Sequence, residues 1–309
     1  MTLAPRLLRS SFALLLSCAA AFGQHVGHRT GSMLPFLSTD ARAAALADAT
    51  SSLTGGLAGL EANPATLAFL GRPAARLSYH HVTSDLSLQS AALAFPVGTG
   101  AGAGIDATLV HPGRLSFFSD PALRSIGFEF AGGISGALVV ADDLAAGAAV
   151  RFYHSTTDVD PVWAAAANLG LVYTPGRTFR FGLALRGVGS DFDAQKPVFP
   201  PDEPASRIPR VFGLSTIFTY PLGAGGENLL LAFENEKILA EPGILYKIGA
   251  ELRPWAPLAL RGALQARQEE IEPRAGAGIT AWALTIDYAY RYNRRDGTGH
   301  LVTLSAGWE

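Results

Sequence analysis

Residues able to do chemistry are few in this 309-residue chain, and their spacing is poor for it. His80-His81 with Asp85 has the ligand types of a metal site, since imidazole and carboxylate both bind zinc. Consecutive side chains on a strand point apart, however, and this pair ends an alternating segment, so a structural or loop role is the expectation. His111, His154 and His300 stand singly. There is no G-x-S-x-G elbow and no glycine-rich phosphate loop between a strand and a helix. Glu269, Glu270 and Glu272 read as a solvated external loop. The expectation is no catalytic site, no metal and no cofactor. What remains is charge placed in the middle of apolar segments: Arg180, Arg186, Arg261 and Arg291, with Glu129, Glu251 and Asp287. Such arginines could meet the carboxylate of a ligand. Alternatively they form a structural ladder with the acids, and the ladder is the preferred reading.

These charges need elements to position them. Residues 280–293, "TAWALTIDYAYRYN", put Trp282, Leu284, Ile286, Tyr288, Tyr290 and Tyr292 on one parity and Asp287 and Arg291 on the other. Side chains alternate across a strand, so one face is apolar and aromatic and the other ionic. A soluble sandwich turns the apolar face inward; a membrane barrel turns it to lipid and the ionic face to a lumen. The same pattern recurs where Phe179, Phe181 and Leu183 oppose Arg180 and Arg186, and where Tyr246, Ile248 and Leu252 oppose Lys247, Glu251 and Arg253.

Fourteen such segments follow one another: 74–80, 86–96, 100–110, 125–139, 144–154, 163–174, 178–187, 208–220, 228–236, 245–253, 258–267, 273–280, 282–292 and 300–308. Most approach the roughly nine to eleven residues of a tilted transmembrane strand. Connections after odd segments are long and rich in Pro and Asp, as in "HPGRLSFFSDPALR" and "VGSDFDAQKPVFPPDEPASR"; those after even segments are mostly tight, as in "VGTG", "ADD" and "PGR". Outer-membrane barrels segregate short periplasmic turns from longer external loops in this way, whereas Greek-key sandwiches have no reason to. The expected fold class is therefore all-β, a transmembrane antiparallel barrel of about 14 strands over residues 74–309. A soluble exported β-protein is the competing architecture. The last segment, "GHLVTLSAGWE", ends with Glu309 after Trp308, whereas barrels commonly end on the aromatic itself.

Composition agrees with a membrane barrel. The chain is 49% hydrophobic and only 16% charged, with mean hydropathy +0.23. Yet after residue 24 no apolar run approaches the roughly 18 residues of a membrane helix. Residues 1–23 have the form of a signal peptide: Arg6 and Arg9, an apolar stretch to Ala21, and a small-x-small site before Gln24. Cleavage leaves 22 basic and 26 acidic residues, a net charge of −4 that offers nothing to nucleic acid. The alternative is a lipoprotein acylated at Cys18, the sole cysteine. In either case the rest of the chain has no disulfide and no thiol nucleophile.

Residues 24–73 break the strand rhythm. "DARAAALADA" is helix-prone, with Asp40 as N-cap; "EANPATLA" predicts a turn at Asn63-Pro64 and a short helix. This segment would cover a barrel mouth or enter the lumen as a plug. Gly98, Gly100, Gly102 and Gly104 share one parity of the third strand, where glycine permits a kink or a close approach. The candidates are a lateral opening at Gly100, Gly102 and Gly104, or room for the plug.

"FLSTDARAAALADA" followed by "GLEANPATLA" resembles the N-terminal segment of the PorV/PorQ family. The matching residues include Asp40, Ala41, Arg42, Leu46, Asn63 and Pro64. The chain departs at Ala47-Asp48, where that family has two glycines. The resemblance implies an outer-membrane barrel similar to the FadL channels, with fourteen strands and an N-terminal hatch. It also implies a non-enzymatic accessory of type IX protein secretion, whose partners are secretion-system proteins or cargo with C-terminal sorting domains. The alternative is a FadL-like channel for hydrophobic small molecules. Outer-membrane lipid surrounds the barrel in both cases.

Overall fold

The computed structural model describes residues 32, 34–82, 86–111, 114–117, 120–125, 127–156, 161–176, 178–190, 208–223, 226, 228–239, 241–267, 270–294 and 297–308. The signal segment with Cys18, Asp85, Glu269, Glu309 and most of the proline-rich loop lie outside these residues. The strands are β1 (Ala74–His81), β2 (Ser87–Pro96), β3 (Ala101–His111), β4 (Arg114–Phe117), β5 (Asp120–Ser125), β6 (Glu129–Ala141), β7 (Leu144–Ser155) and β8 (Val162–Tyr173). They continue with β9 (Phe179–Gly189), β10 (Val211–Pro221), β11 (Asn228–Ile238), β12 (Leu245–Trp255), β13 (Leu258–Arg267), β14 (Glu270–Ala281), β15 (Leu284–Asn293) and β16 (Gly297–Gly307). Fourteen close into an antiparallel barrel in chain order, with β1 pairing β16; β4 and β5 form a separate two-stranded sheet.

Each of the fourteen expected segments is a barrel strand. The pairing that closes the barrel carries some strands past their sequence signals. Glu270 and Glu272, expected in an external loop, lie in β14; Glu272 is buried on the lumen side and pairs with Arg274. The loop "HPGRLSFFSDPALR" contains the β4–β5 hairpin, which apolar periodicity did not reveal.

The wall has the polarity of a membrane protein. Leu77, Ile105, Ile134, Phe152, Ile248 and Ile286 are exposed on the outside, while Arg76, Asp106, Arg151, Glu251, Arg261 and Asp287 are buried inside. An exposed apolar surface this continuous is not tolerated in water, and closure leaves no unpaired edge to meet lipid. One irregularity shapes the interior. The β8–β9 register slips between Ala167 and Leu169, so Arg186 and Gly187 both turn inward. Gly187 takes φ +74, and its N–H is held by Asn168 Oδ1 at 2.9 Å. A bulge of this kind redirects side chains.

Candidate functional site

The N-terminal segment fills the lumen. A 3-10 turn (Leu34–Phe36) precedes α1 (Ala41–Ala45), and a second 3-10 helix (Pro64–Phe69) precedes β1. Asp40 caps α1 through Ala43 N–H at 2.8 Å, and Asn63 Oδ1 caps the second helix through Ala65 N–H at 3.0 Å. The alanine-rich stretch is helical for only five residues because Ala47 and Asp48 both take φ +56. These are the two positions where the PorV/PorQ pattern has glycine, the residue that adopts this conformation without cost. Here Asp48 compensates through its side chain: Arg274 donates to it at 2.6 Å and Ser38 at 2.7 Å.

Four groups of polar contacts fasten the plug to the wall. Arg42 donates twice to Glu251, at 2.8 and 2.9 Å; Glu251 also accepts from Arg261 at 2.6 Å, and Arg261 from its other side reaches Asp287 at 2.6 Å. Arg76 pairs with Glu61 and stands 3.6 Å from Asp40. Glu234 accepts from Ser51 N–H at 2.9 Å and Ser51 Oγ at 2.8 Å. Asn63 Nδ2 donates to the Ser51 carbonyl at 2.7 Å and reaches the Leu171 carbonyl at 3.0 Å. Apolar contacts fill the rest: Leu57, Leu60 and Leu67 pack on Ala92, Ala94 and Ala137, while Leu46 and Leu53 pack on Ile217 and Leu230. The inward parity is thus partly apolar where it meets plug instead of water.

Lumen-facing glycines contour the wall to the plug backbone. A Cβ on Gly102 would strike the Leu67 carbonyl, on Gly147 the Pro64–Ala65 peptide, and on Gly182 the Ser51 carbonyl. On Gly249 it would come within 2.9 Å of the Leu46 carbonyl. The glycines considered for a lateral opening divide. Gly100 is in the turn before β3, at φ +73; Gly102 and Gly104 are in β3 and face Leu67. Pairing of β3 with β2 and with β6 is continuous at both, so the strand has no gap there.

Above the plug, toward the long-loop end, lies a chamber of about 1360 Å³. Its apolar side is formed by Leu34, Phe36, Leu37, Ala131, Tyr153 and Ile208. Leu34 packs there on Leu88, Val110, Ala164 and Ala166, which all face inward. The ionic side carries Arg186, Glu236, Lys247, Glu272 and Arg274. With Asp48, which also lines the chamber, these make three cations and three anions: Lys247 meets Glu236 at 2.8 Å, Arg186 pairs with the same carboxylate, and Arg274 meets Glu272 at 2.9 Å and Asp48 at 2.6 Å. Two buried polar atoms on the chamber residues, Thr108 Oγ1 and Arg186 Nε, have no hydrogen-bond partner among the described residues.

The sequence-selected charges all face the lumen but form no single site. Glu251, Arg261 and Asp287 are contiguous; Arg186 joins Glu236 instead; Arg180 donates to Thr219 at 3.1 Å. Glu129 accepts from Ser32 at 2.8 Å, and Arg291 lies against Gly299. Sequence reading missed Arg76, Asp106, Arg151, Glu234, Glu236 and Arg274. Each is a charge within an alternating apolar strand, so the signal was present. His80 is buried with Ser38 carbonyl at 3.1 Å, whereas His81 lies on the outer face, as expected of neighbours on a strand.

No protein-family model matches the chain, and no curated protein sequence matches it. Its fold is similar to that of solved barrels. A Pseudomonas aeruginosa FadL homologue aligns at TM-score 0.65 and 12% identity, covering 92% of this chain and 99% of the other. The P. putida toluene transporter TodX aligns at TM-score 0.61 and 12% identity, covering 88% and 99%. At such low identity these likenesses speak to architecture alone: the chain has the plugged, fourteen-strand fold of the FadL-like outer-membrane barrels.

Proposed function

We propose that this barrel admits a hydrophobic small molecule from outside the cell into the lumen chamber, as a FadL-like channel of the outer membrane. The observation carrying this reading is the chamber itself. It joins an apolar wall to an ionic wall whose charges are already paired, so it suits a largely neutral, apolar ligand with at most one polar end. The toluene transporter with the same fold is named for an apolar cargo, which supports the choice of ligand class. The test is titration of the purified, detergent-solubilised barrel with a fluorescent apolar probe. Ala131→Glu, which buries a carboxylate on the apolar wall, should weaken binding by at least about tenfold. Unchanged binding in a variant that still migrates as a folded barrel would refute the proposal.

A second reading, an accessory of type IX secretion, is favoured by one observation. The residues shared with the PorV/PorQ pattern, Asp40, Ala41, Arg42, Leu46, Asn63 and Pro64, are the ones that build and fasten the plug. A barrel whose plug never leaves would act by docking secretion-system proteins or cargo at its outer end. Gene deletion separates the readings: periplasmic retention of proteins with C-terminal sorting domains supports secretion, and loss of apolar-solute uptake with secretion intact supports the channel.

A further inference from the structure

The imidazoles on the outer wall are unevenly placed. Among the described residues four histidines lie outside the lumen, His81, His111, His154 and His300, and all four stand at the long-loop ends of their strands. Three of the four tryptophans, Trp255, Trp308 and Trp282, stand at the short-turn end, the last 96% exposed at a turn tip; Trp163 stands at the long-loop end and stacks on His154 with ring centroids 3.9 Å apart. The two rims are thus built for different surroundings.

His81 and His300 face each other across the β1–β16 pair that closes the barrel, with ring centroids 6.5 Å apart. Tyr288 Oη and His300 Nδ1 are 2.8 Å apart, and Tyr290 lies 5.6 Å from the His300 ring. Tyr79, Tyr288 and Tyr292 are exposed on the same outer face. His300 and Trp308 lie on one face of the final strand, eight positions apart. At ~3.4 Å per residue and a tilt of ~40° that is about 20 Å along the barrel axis, close to the roughly 25 Å apolar band of such barrels. The cluster therefore sits at the outer boundary of the hydrocarbon.

We propose that this His–Tyr cluster on β1, β15 and β16 binds the sugar headgroup of a glycolipid in the outer leaflet. Among the described residues no hydrogen bond engages either ring nitrogen of His81 or Nε2 of His300. Hydrocarbon cannot satisfy such groups, so at this level they meet interfacial water or a polar headgroup. Its chemistry follows from what surrounds the histidines. The outward side chains of these three strands include no Lys or Arg to hold a phosphate. They offer instead flat aromatic faces with hydroxyl and imidazole groups at their edges, which fits a polyol that stacks its C–H face and hydrogen-bonds through its hydroxyls. This site lies on the outside of the wall and is independent of the chamber.

The test is native mass spectrometry of the full-length barrel in detergent, with a dephosphorylated diglucosamine glycolipid and phosphatidylglycerol as competing probes. The wild type should retain one glycolipid in the presence of equimolar phosphatidylglycerol. His81→Phe with His300→Phe keeps the aromatic bulk and should weaken glycolipid binding about tenfold through lost hydrogen bonds. Tyr288→Phe should weaken it severalfold, while His154→Phe, on the opposite side of the barrel, should leave it unchanged. If the double variant fails to fold, Tyr288→Phe decides alone. Equal retention in the variants, or displacement by phosphatidylglycerol, would show an interfacial anchor only and overturn the proposal.

Discussion

The Arg42–Glu251 contact makes a quantitative prediction because its two sides are unequal. Glu251 serves Arg42 at 2.8 and 2.9 Å, Arg261 at 2.6 Å and Arg253 at 3.1 Å. Glu251→Gln removes the charge shared by three guanidinium groups. Arg261 keeps Asp287, but Arg42 loses its ion pair while still enclosed in the lumen. Breaking a buried pair from this side costs about 3–5 kcal/mol. Arg42→Met leaves Glu251 with two cations and removes only the charged hydrogen bonds, about 1.5–3 kcal/mol. If the cost falls on docking of the plug, Glu251→Gln raises the undocked population roughly 100-fold or more. The assay is single-channel conductance in planar bilayers alongside protease cleavage of the plug, with gel mobility before and after boiling to confirm an intact barrel. Glu251→Gln should show frequent openings and faster cleavage, Arg42→Met a smaller effect. The double variant should fall short of the sum, since both changes act on one contact. Equal effects of the two single variants, or wild-type behaviour of Glu251→Gln, would refute the reasoning.

Two more outcomes follow from the same lock. Gly147→Ala places its Cβ on the Pro64–Ala65 backbone but suits a strand; it should destabilise the plug by about 1–3 kcal/mol, seen as faster hydrogen exchange in residues 41–70 with the strands unchanged. Acid should also loosen the plug. Burial pushes the Asp48 carboxyl up, but Arg274 and then Lys247 outweigh it and hold Asp48 below its ordinary 3.8; burial is likewise outweighed at Glu61, where Arg76 holds the carboxyl below 4.5. A lowered folded-state pKa stabilises above the ordinary value and fades as pH falls through the folded one. Asp40 runs the other way, since burial outweighs Arg76 and raises it, so its protonation offsets part of the loss. Protection of residues 41–70, taken relative to unfolded amides at the same pH, should therefore be lower at about pH 3 than at about pH 7, and equal or greater protection in acid would contradict this.

The sequence by itself determined the wall. Alternation such as that of Leu284, Ile286 and Tyr288 against Asp287 and Arg291 leaves only the choice of which face meets lipid, and loop lengths that differ by parity settle it, because both signals are local and recur along the whole chain of strands. It also announced Asp40 as the cap of α1 and a short helix after Asn63-Pro64, since the bonds involved reach only two or three residues ahead. Only the tertiary structure decided who meets whom across the lumen. Nothing in the chain order links Arg42 to Glu251, Asp48 to Arg274 or Gly147 to Pro64; these pairings depend on barrel closure and on the depth at which the plug seats. The glycines of β3 show the same limit. Sequence spacing allowed an opening or a seat, and the position of Leu67, some 35 residues upstream, fills the space. The chamber was likewise invisible beforehand, because it is the volume left between a wall and a plug whose separation no local pattern encodes.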